Sequence, residues 1–330
     1  MKVLGMGNAL VDIVTELPND ILLSELDLRK GSMQLVDKEF SNHILGKILP
    51  FKKTEMSGGS AANTICGLAA MGIETAFIGK VGKDRLGEVF ENDLVRNGIK
   101  PLLQYSSNET GHVLALVSPD SERTFATHLG VAMELEPDDL TPEMFDGYTH
   151  FYIEGYLVQH HELIRHAVEL AAENNMDVIL DLGSYNVVED NLDFIHFLVK
   201  EYANVVFANA DEARVYSKGK GTEESLAELA KDCWIAAVKT GKEGSIIQNG
   251  NQVFKVPATK VKCIDTTGAG DLYAAGFLYG MLNGLNLPLC GKIGSILAGK
   301  VIGVMGARIP DNTWIELKGK VKDTIHRQLG

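Results

Sequence analysis

The run Asp265-Thr266-Thr267-Gly268-Ala269-Gly270-Asp271 sets small residues where the apolar stretch Leu272 to Gly280 begins. A helix opening there leaves its first N–H groups without intrahelical acceptors. With no bulky side chain in the way, the N–H groups of Gly268, Ala269 and Gly270 can converge on a phosphate or a developing oxyanion, and the helix dipole favours the same charge. Asp271 adds a carboxylate beside that spot. An acid is useful there if it takes a proton during reaction, so the pair reads as a base next to an anion hole, equipment for phosphoryl transfer to a hydroxyl. The same residues also describe an ordinary helix start with an acid in its first turn.

Other stretches carry candidate chemistry. Val3 to Met6 reads as a buried strand that delivers Gly7-Asn8-Ala9-Leu10-Val11-Asp12 at its end. Asn8 and Asp12 suit hydroxyl binding, or else turn and edge chemistry. Gly5-x-Gly7 begins a dinucleotide fingerprint, but Leu10 stands where the third glycine belongs, which argues against an oxidoreductase. Ser57-Gly58-Gly59-Ser60-Ala61-Ala62-Asn63-Thr64 gives a second small-residue helix start, with Ser60 as its N-cap and Asn63 in the first turn. Asn209 and Glu212, directly after a strand, fall on one helix face; they are oxygen ligands for Mg²⁺, often through water, or a capping box. Arg123, on the second arm of a hairpin, is either a mobile cation for the transferred phosphate or a surface residue.

Asp-Thr-x-Gly-Ala-Gly-Asp followed by an apolar helix resembles the C-terminal signature of the ribokinase-like, or PfkB, sugar and nucleoside kinases, and the block around Gly59 and Asn63 is similar to their N-terminal signature. The matches near residues 5, 58, 209, 240 and 265 cover essentially the whole chain. The resemblance implies transfer of the γ-phosphoryl group of ATP, with Mg²⁺, to an alcohol. Asp271 is then the base and Gly268, Ala269 and Gly270 the anion hole. Asn8, Asp12, Gly58, Gly59, Ser60 and Asn63 would hold the acceptor. Asn209, Thr240, Gly241, Gly244 and Thr267 would lie at ATP, with Asn209 and Glu212 organising the metal. It also implies a monovalent cation such as K⁺ near Asp265 and Gly306. Gly7 to Asp12, Glu154-Gly155-Tyr156-Leu157 and Leu272 to Gly280 look closest to adenosine-kinase-like members. Tyr156 is placed to stack on a nucleobase or to sit in the core. Adenosine is therefore the first choice of acceptor; ribose, fructose or a sugar phosphate is the alternative, and a binding protein without catalysis the remote one.

The totals bound the rest. The chain has 330 residues, 45% hydrophobic and 23% charged, with a formal net charge of −13. That charge argues against binding nucleic acid or an anionic membrane surface, and it obliges a phosphate site to rely on backbone donors and a few placed cations. Cys66, Cys233, Cys263 and Cys290 form no C-x-x-C pair, and no long uncharged apolar segment occurs, so a reduced, cytoplasmic protein is expected.

These groups need a scaffold. From residue 148 strands and helices alternate: Tyr148 to Ile153, His161 to Asn174, Asp177 to Asp181, Asp190 to Glu201, Val205 to Ala208, then Ile235 to Lys239. Such alternation predicts a parallel sheet with helices on both faces. A hairpin is expected from His112 to Val117 and Arg123 to Thr127, a second around Asn249-Gly250, and a small-residue helix from Lys292 to Val304. The expected architecture is a single α/β domain over residues 1–330, a three-layer ribokinase-like fold with a mostly parallel sheet. A small β-rich lid is expected from segments about 13–36 and 105–128. Its exposed edge would allow a lid-mediated homodimer as well as a monomer.

Overall fold

A computed structural model describes residues 1–120 and 122–329. Ser121, expected at the hairpin tip, lies outside the described residues. Fourteen strands occur among the described residues, in chain order β1 Lys2–Met6, β2 Leu10–Glu16, β3 Met33–Leu35, β4 Lys53–Gly58, β5 Glu74–Gly82, β6 Ile99–Ser106, β7 Gly111–Val117, β8 Arg123–His128, β9 His150–Glu154, β10 Asp177–Asp181, β11 Ala203–Asn209, β12 Ile235–Lys239, β13 Ser245–Asn249 and β14 Gln252–Val256.

Nine of them build the central sheet, ordered β14-β13-β12-β11-β10-β9-β1-β5-β6. Every pair from β6 to β12 is parallel, and β13 and β14 close that edge antiparallel. Side-chain alternation explains why the inner strands read as nearly unbroken apolar runs, since both of their faces are covered. Val3, Tyr152, Ile179 and Phe207 enter one buried cluster, and their neighbours Leu4, Phe151, Leu180 and Val206 enter the other. This is the α/β architecture that the alternation predicts.

On the first face, Phe207 packs edge-on against Phe277 with ring centroids 5.3 Å apart, joining the sheet to the helix Ala269–Leu282. Burying each such ring contributes roughly 1.5–3 kcal/mol. The next helix, Leu287–Val301, starts earlier than residue 292, because the Asn286 side chain accepts from the Leu289 N–H and Pro288 suits a first turn. The two helices approach closely. A β-carbon on Gly276 would stand 2.8 Å from the Gly294 Cα, and one on Gly280 would stand 3.0 Å from the Cys290 Cα. Their small residues thus allow backbone contact that anchors the first turn of the Ala269 helix over the strand ends.

The second sheet, ordered β3-β8-β7-β2-β4, lies outside this layer stack. The hairpin β7–β8 is antiparallel, with Val117 opposite Arg123. The short strand β3 pairs with β8, and β2 with both β4 and β7. Two features differ from expectation. Lys53–Gly58 supplies a strand, although its sequence lacks the alternation of a half-buried one. The stretch 13–36 contains a short helix, Ile21–Glu25, as well as strands. No described helix is long and apolar enough to cross a membrane.

Candidate active site

The functional groups gather where parallel strands deliver them, at their carboxyl ends. Asn8 follows β1, Glu154 ends β9, Asp181 ends β10, Asn209 ends β11 and Lys239 ends β12. Two helix starts complete the wall, Ser60–Met71 and Ala269–Leu282. Between them and the second sheet lies a cavity of about 1150 Å³.

Asp271 stands at the centre. Its carboxylate accepts from the Ser60 hydroxyl at 2.7 Å and from the Asn63 amide at 2.9 Å, tying the two signature blocks together across 211 and 208 residues of chain. Burial pushes its carboxyl up to about 6, against the opposing pull of the Asn63 and Ser60 bonds. A base poised close to neutrality is efficient, since it is mostly ionised yet still binds a proton. Ser60 is not the N-cap of its helix. Gly59, with φ of 92°, holds that position, which releases the Ser60 hydroxyl to reach Asp271.

Gly268 caps the second helix with φ of 74°, which suits glycine. The anion hole differs in one donor from expectation, because the Ala269 N–H donates to the Thr266 carbonyl at 3.2 Å. Among the described residues, the N–H groups of Gly268, Gly270 and Asp271 have no such acceptor. Thr267 lines the cavity and donates its hydroxyl to Asp265 at 2.7 Å.

Asn8, Asp12, Gly59, Ser60, Asn63 and Tyr156 all line the cavity; Gly58 does not. Glu154, buried at β9's end, accepts from the Asn8 N–H at 2.8 Å, the Asn8 side-chain amide at 2.9 Å and the Ala61 N–H at 2.7 Å. Burial carries its carboxyl up to about 7, with the Ala61 and Asn8 bonds opposing. Holding the Asn8 amide this way leaves Asn8 Oδ1 buried with no partner, and Asp271 does the same for Asn63 Oδ1. Two buried amide oxygens on cavity-lining residues thus lack donors among the described residues, and a buried acceptor without one is costly. Burial also raises the Asp12 carboxyl to about 6, opposed by the Arg308 and Arg123 guanidinium groups. The Tyr156 hydroxyl donates to the Gly183 carbonyl at 3.1 Å.

Three glycines make room for these charges. A β-carbon on Gly7 would lie 2.5 Å from Glu154 Oε2, one on Gly58 would lie 2.8 Å from Asp12 Oδ2, and one on Gly270 would lie 3.2 Å from Lys239 Nζ. Gly58 thus serves the site by leaving space for Asp12 rather than by touching the cavity.

At the β11 and β12 ends, Asn209 and Glu212 form a reciprocal cap. Asn209 Oδ1 accepts from the Glu212 N–H at 2.9 Å, and Glu212 accepts from the Asn209 N–H at 2.7 Å. Both line the cavity, and burial raises the Glu212 carboxyl to about 7 although Lys239 pulls the other way. No group of three or more metal-ligating side chains occurs among the described residues. Gly241 and Gly244 line the cavity, but Thr240 does not; its N–H donates to the Gly244 carbonyl. Lys239, one residue earlier, faces the cavity instead and pairs with Asp181 at 2.8 Å.

Arg123 departs furthest from expectation. It is 7% exposed, contacts Asp265 at 3.0 Å and does not line the cavity, so it is neither a surface residue nor a free cation here. Its Nε and Nη2 have no partner among the described residues. Asp265 accepts from the Thr267 N–H and hydroxyl and from the Gly306 N–H at 2.7 Å, and it forms an ion pair with Arg123.

Sequence reasoning passed over Glu154 as a binding group, and it missed Asp181, Lys239 and Arg308. The signal for the first three was position, a charged residue at the last place of an apolar strand. Arg308 reaches the Ser57 carbonyl at 3.0 Å and its hydroxyl at 2.6 Å from a turn that carries no motif.

Comparison with known proteins adds an independent line. A family model described as pfkB family carbohydrate kinase matches residues 47–314. The crystal structure of an adenosine kinase from Sinorhizobium meliloti is 34% identical, with a TM-score of 0.86, covering 98% of each chain. A probable sugar kinase from Rhizobium etli is 33% identical, with the same TM-score and coverage. A 5-dehydro-2-deoxygluconokinase from Clostridium beijerinckii is 29% identical over 279 residues, 79% of this chain and 82% of that one.

Proposed function

Because the chain belongs to the pfkB family of carbohydrate kinases, we propose that it transfers the γ-phosphoryl group of ATP to a hydroxyl of a ribonucleoside, with adenosine the first choice. One observation carries the acceptor class. Asn8 Oδ1 and Asn63 Oδ1 are buried without donors, and both residues line the cavity with Asp12. That set asks for hydroxyls. An acceptor bearing its own carboxylate or phosphate would meet acceptors there and be repelled. The second sheet and the turn after it add Met33, Leu35, Val113, Phe125, Leu129 and Met133 to the lining. A neutral diol joined to a flat apolar body matches both surfaces, and a nucleoside is such a molecule. Likeness to the Sinorhizobium meliloti adenosine kinase supports the same choice.

In this reading Asp271 accepts the hydroxyl proton, while Ser60 and Asn63 hold its carboxylate in line. The Gly268, Gly270 and Asp271 N–H groups stabilise charge on the transferring group. Bound Mg²⁺ would supply the charge neutralisation that this acidic site lacks. Glu212 and Asn209 suit it through water, since their own atoms are engaged in the cap. The second sheet acts as a lid that excludes water, a competing acceptor. Burial and spare nitrogens suit Arg123 to an anion reached when that sheet moves.

A sugar kinase is the second reading, supported by the likeness to the Rhizobium etli protein. The test is MgATP-dependent phosphorylation of adenosine, inosine, guanosine, ribose, fructose, fructose phosphates and a sugar acid, followed as ADP and as phosphorylated product. Adenosine is expected to react fastest. Turnover of only a sugar acid or a sugar phosphate would sink the hydroxyl-only account of the acceptor site.

A further inference from the structure

Lys239 has no part in the chemistry above, yet it sits against the reacting centre. Its Nζ lies 3.2 Å from where a β-carbon on Gly270 would stand, beside backbone whose N–H has no described acceptor. The side chain is 16% exposed, and its contacts run to one group, Asp181, at 2.8 and 3.2 Å. An ammonium has three donors, so a contact confined to one carboxylate leaves capacity for another acceptor.

The surroundings sharpen the point. Asp12, Glu154, Asp181, Glu212 and Asp271 all line the cavity. Among the described residues the lysines lining it are Lys239, Lys242 and Lys260; Lys242 lies in the short 3₁₀ turn Gly241–Glu243 and Lys260 in a loop, while Lys239 ends a strand of the central sheet. Arg123 is held by Asp265 away from the lining. Burial works against the charge of Lys239, yet attraction by Asp181 and Glu212 keeps its pKa raised, so it remains an ammonium.

We propose that Lys239 is a catalytic residue, its ammonium turning from Asp181 to the transferred phosphoryl group beside the Gly270 N–H. This rests on the kinase reading. The acceptor oxygen bonds to the γ-phosphorus while its proton passes to Asp271. The bond from phosphorus to the β,γ-bridging oxygen breaks, and its electron pair stays on ADP. Lys239 keeps its proton throughout and donates a hydrogen bond to charge that is shared among the phosphoryl oxygens. Asp181 keeps the ammonium charged and next to the site before substrate arrives, so that only a short turn brings it to the phosphoryl group.

The rival role is a buried ion pair that merely neutralises Asp181, and two variants separate them. Lys239→Met leaves Asp181 unpaired, whereas Asp181→Asn with Lys239→Met removes both charges and leaves neither stranded. Steady-state kinetics with MgATP and the best panel acceptor give kcat and KM, and thermal melts with and without that acceptor report folding. Both variants are expected to lose about 10²–10³-fold in kcat, as for loss of one oxyanion donor. The double variant should still be stabilised by acceptor. Recovery of kcat in the double variant to within about threefold of native would overturn the proposal, as would a Lys239→Met effect confined to KM. The double variant decides if the single one fails to fold. A native enzyme inactive on the whole panel would count against the kinase reading instead.

Discussion

Ser60→Ala tests the tuning of the proposed base, because it deletes one oxygen and the 2.7 Å bond to Asp271 Oδ1. That bond stabilises the charged carboxylate, so its loss must raise the pKa of Asp271. A hydrogen bond to a charged group is worth about 1.5–3 kcal/mol, and one pKa unit corresponds to about 1.4 kcal/mol, so the full effect is roughly one to two units. Water entering the half-buried space replaces part of the bond, which favours the lower figure. With the native carboxyl at about 6, the variant should titrate at roughly 7 to 7.5. Only the ionised form accepts a proton from the acceptor, so kcat/KM falls on the acid side of this pKa. At pH 7 the ionised fraction drops from about nine-tenths to between a half and a quarter, while at pH 9 both forms are almost fully ionised. The assay is kcat/KM for MgATP-dependent phosphorylation from pH 5 to 9. An acid limb moved up by about one unit, with recovery near pH 9, is the expected profile. A limb that stays put, or a loss equal at every pH, would refute the reasoning and leave Ser60 a purely spatial role.

Two further outcomes follow from the same geometry. Asp271→Asn should abolish turnover while acceptor still raises the melting temperature. Its own stability should also change with pH. The folded carboxyl sits at about 6, above its ordinary 3.8, so the fold takes up a proton as pH falls through that window and loses the benefit as pH rises. The always-neutral Asn should therefore melt higher than native at pH 8, by up to roughly 3 kcal/mol, and about equal to it near pH 4; a lower melt at pH 8 would contradict the burial argument. Glu212→Gln keeps an oxygen for the Asn209 N–H but gives up the bond that the other carboxylate oxygen accepts from the Asn209 side-chain amide. It should raise the Mg²⁺ concentration for half-maximal rate, and unchanged metal dependence would assign Glu212 to capping alone.

The central sheet was legible because its inner strands are buried on both faces and each crossover helix has its own period; Asp177–Asp181 and Ile235–Lys239 appear where alternation places them. Lys53–Gly58 was not, since its pairing with β2 comes from tertiary contact that a mixed polar run does not announce. At the site, Asp271 and Asn63 were readable because small residues around them mark close backbone approach. Which donors remain free was not readable: the Ala269 N–H is used by a carbonyl three residues back, and Thr240 yields the cavity to Lys239. Such one-residue differences depend on how a strand end is turned, and composition does not encode that. Arg123 was placed on the right strand, but its partner Asp265 lies 142 positions away and only the fold brings them together.

Gly7, Gly58 and Gly270 donate no side-chain atom to anything, and their backbones do not need a left-handed conformation. Their missing side chains reserve volume for Glu154, Asp12 and Lys239, and Gly270 also presents its N–H. In a survey of every single substitution Gly7 and Gly58 should tolerate little change and Gly270 somewhat more, with the damage appearing as displaced chemistry more than as unfolding. Drift in such a protein is then constrained by pairs, a glycine and the charge that fills its missing side chain. Transplanting the charged residues onto another scaffold without those vacancies would carry over the groups but not their positions.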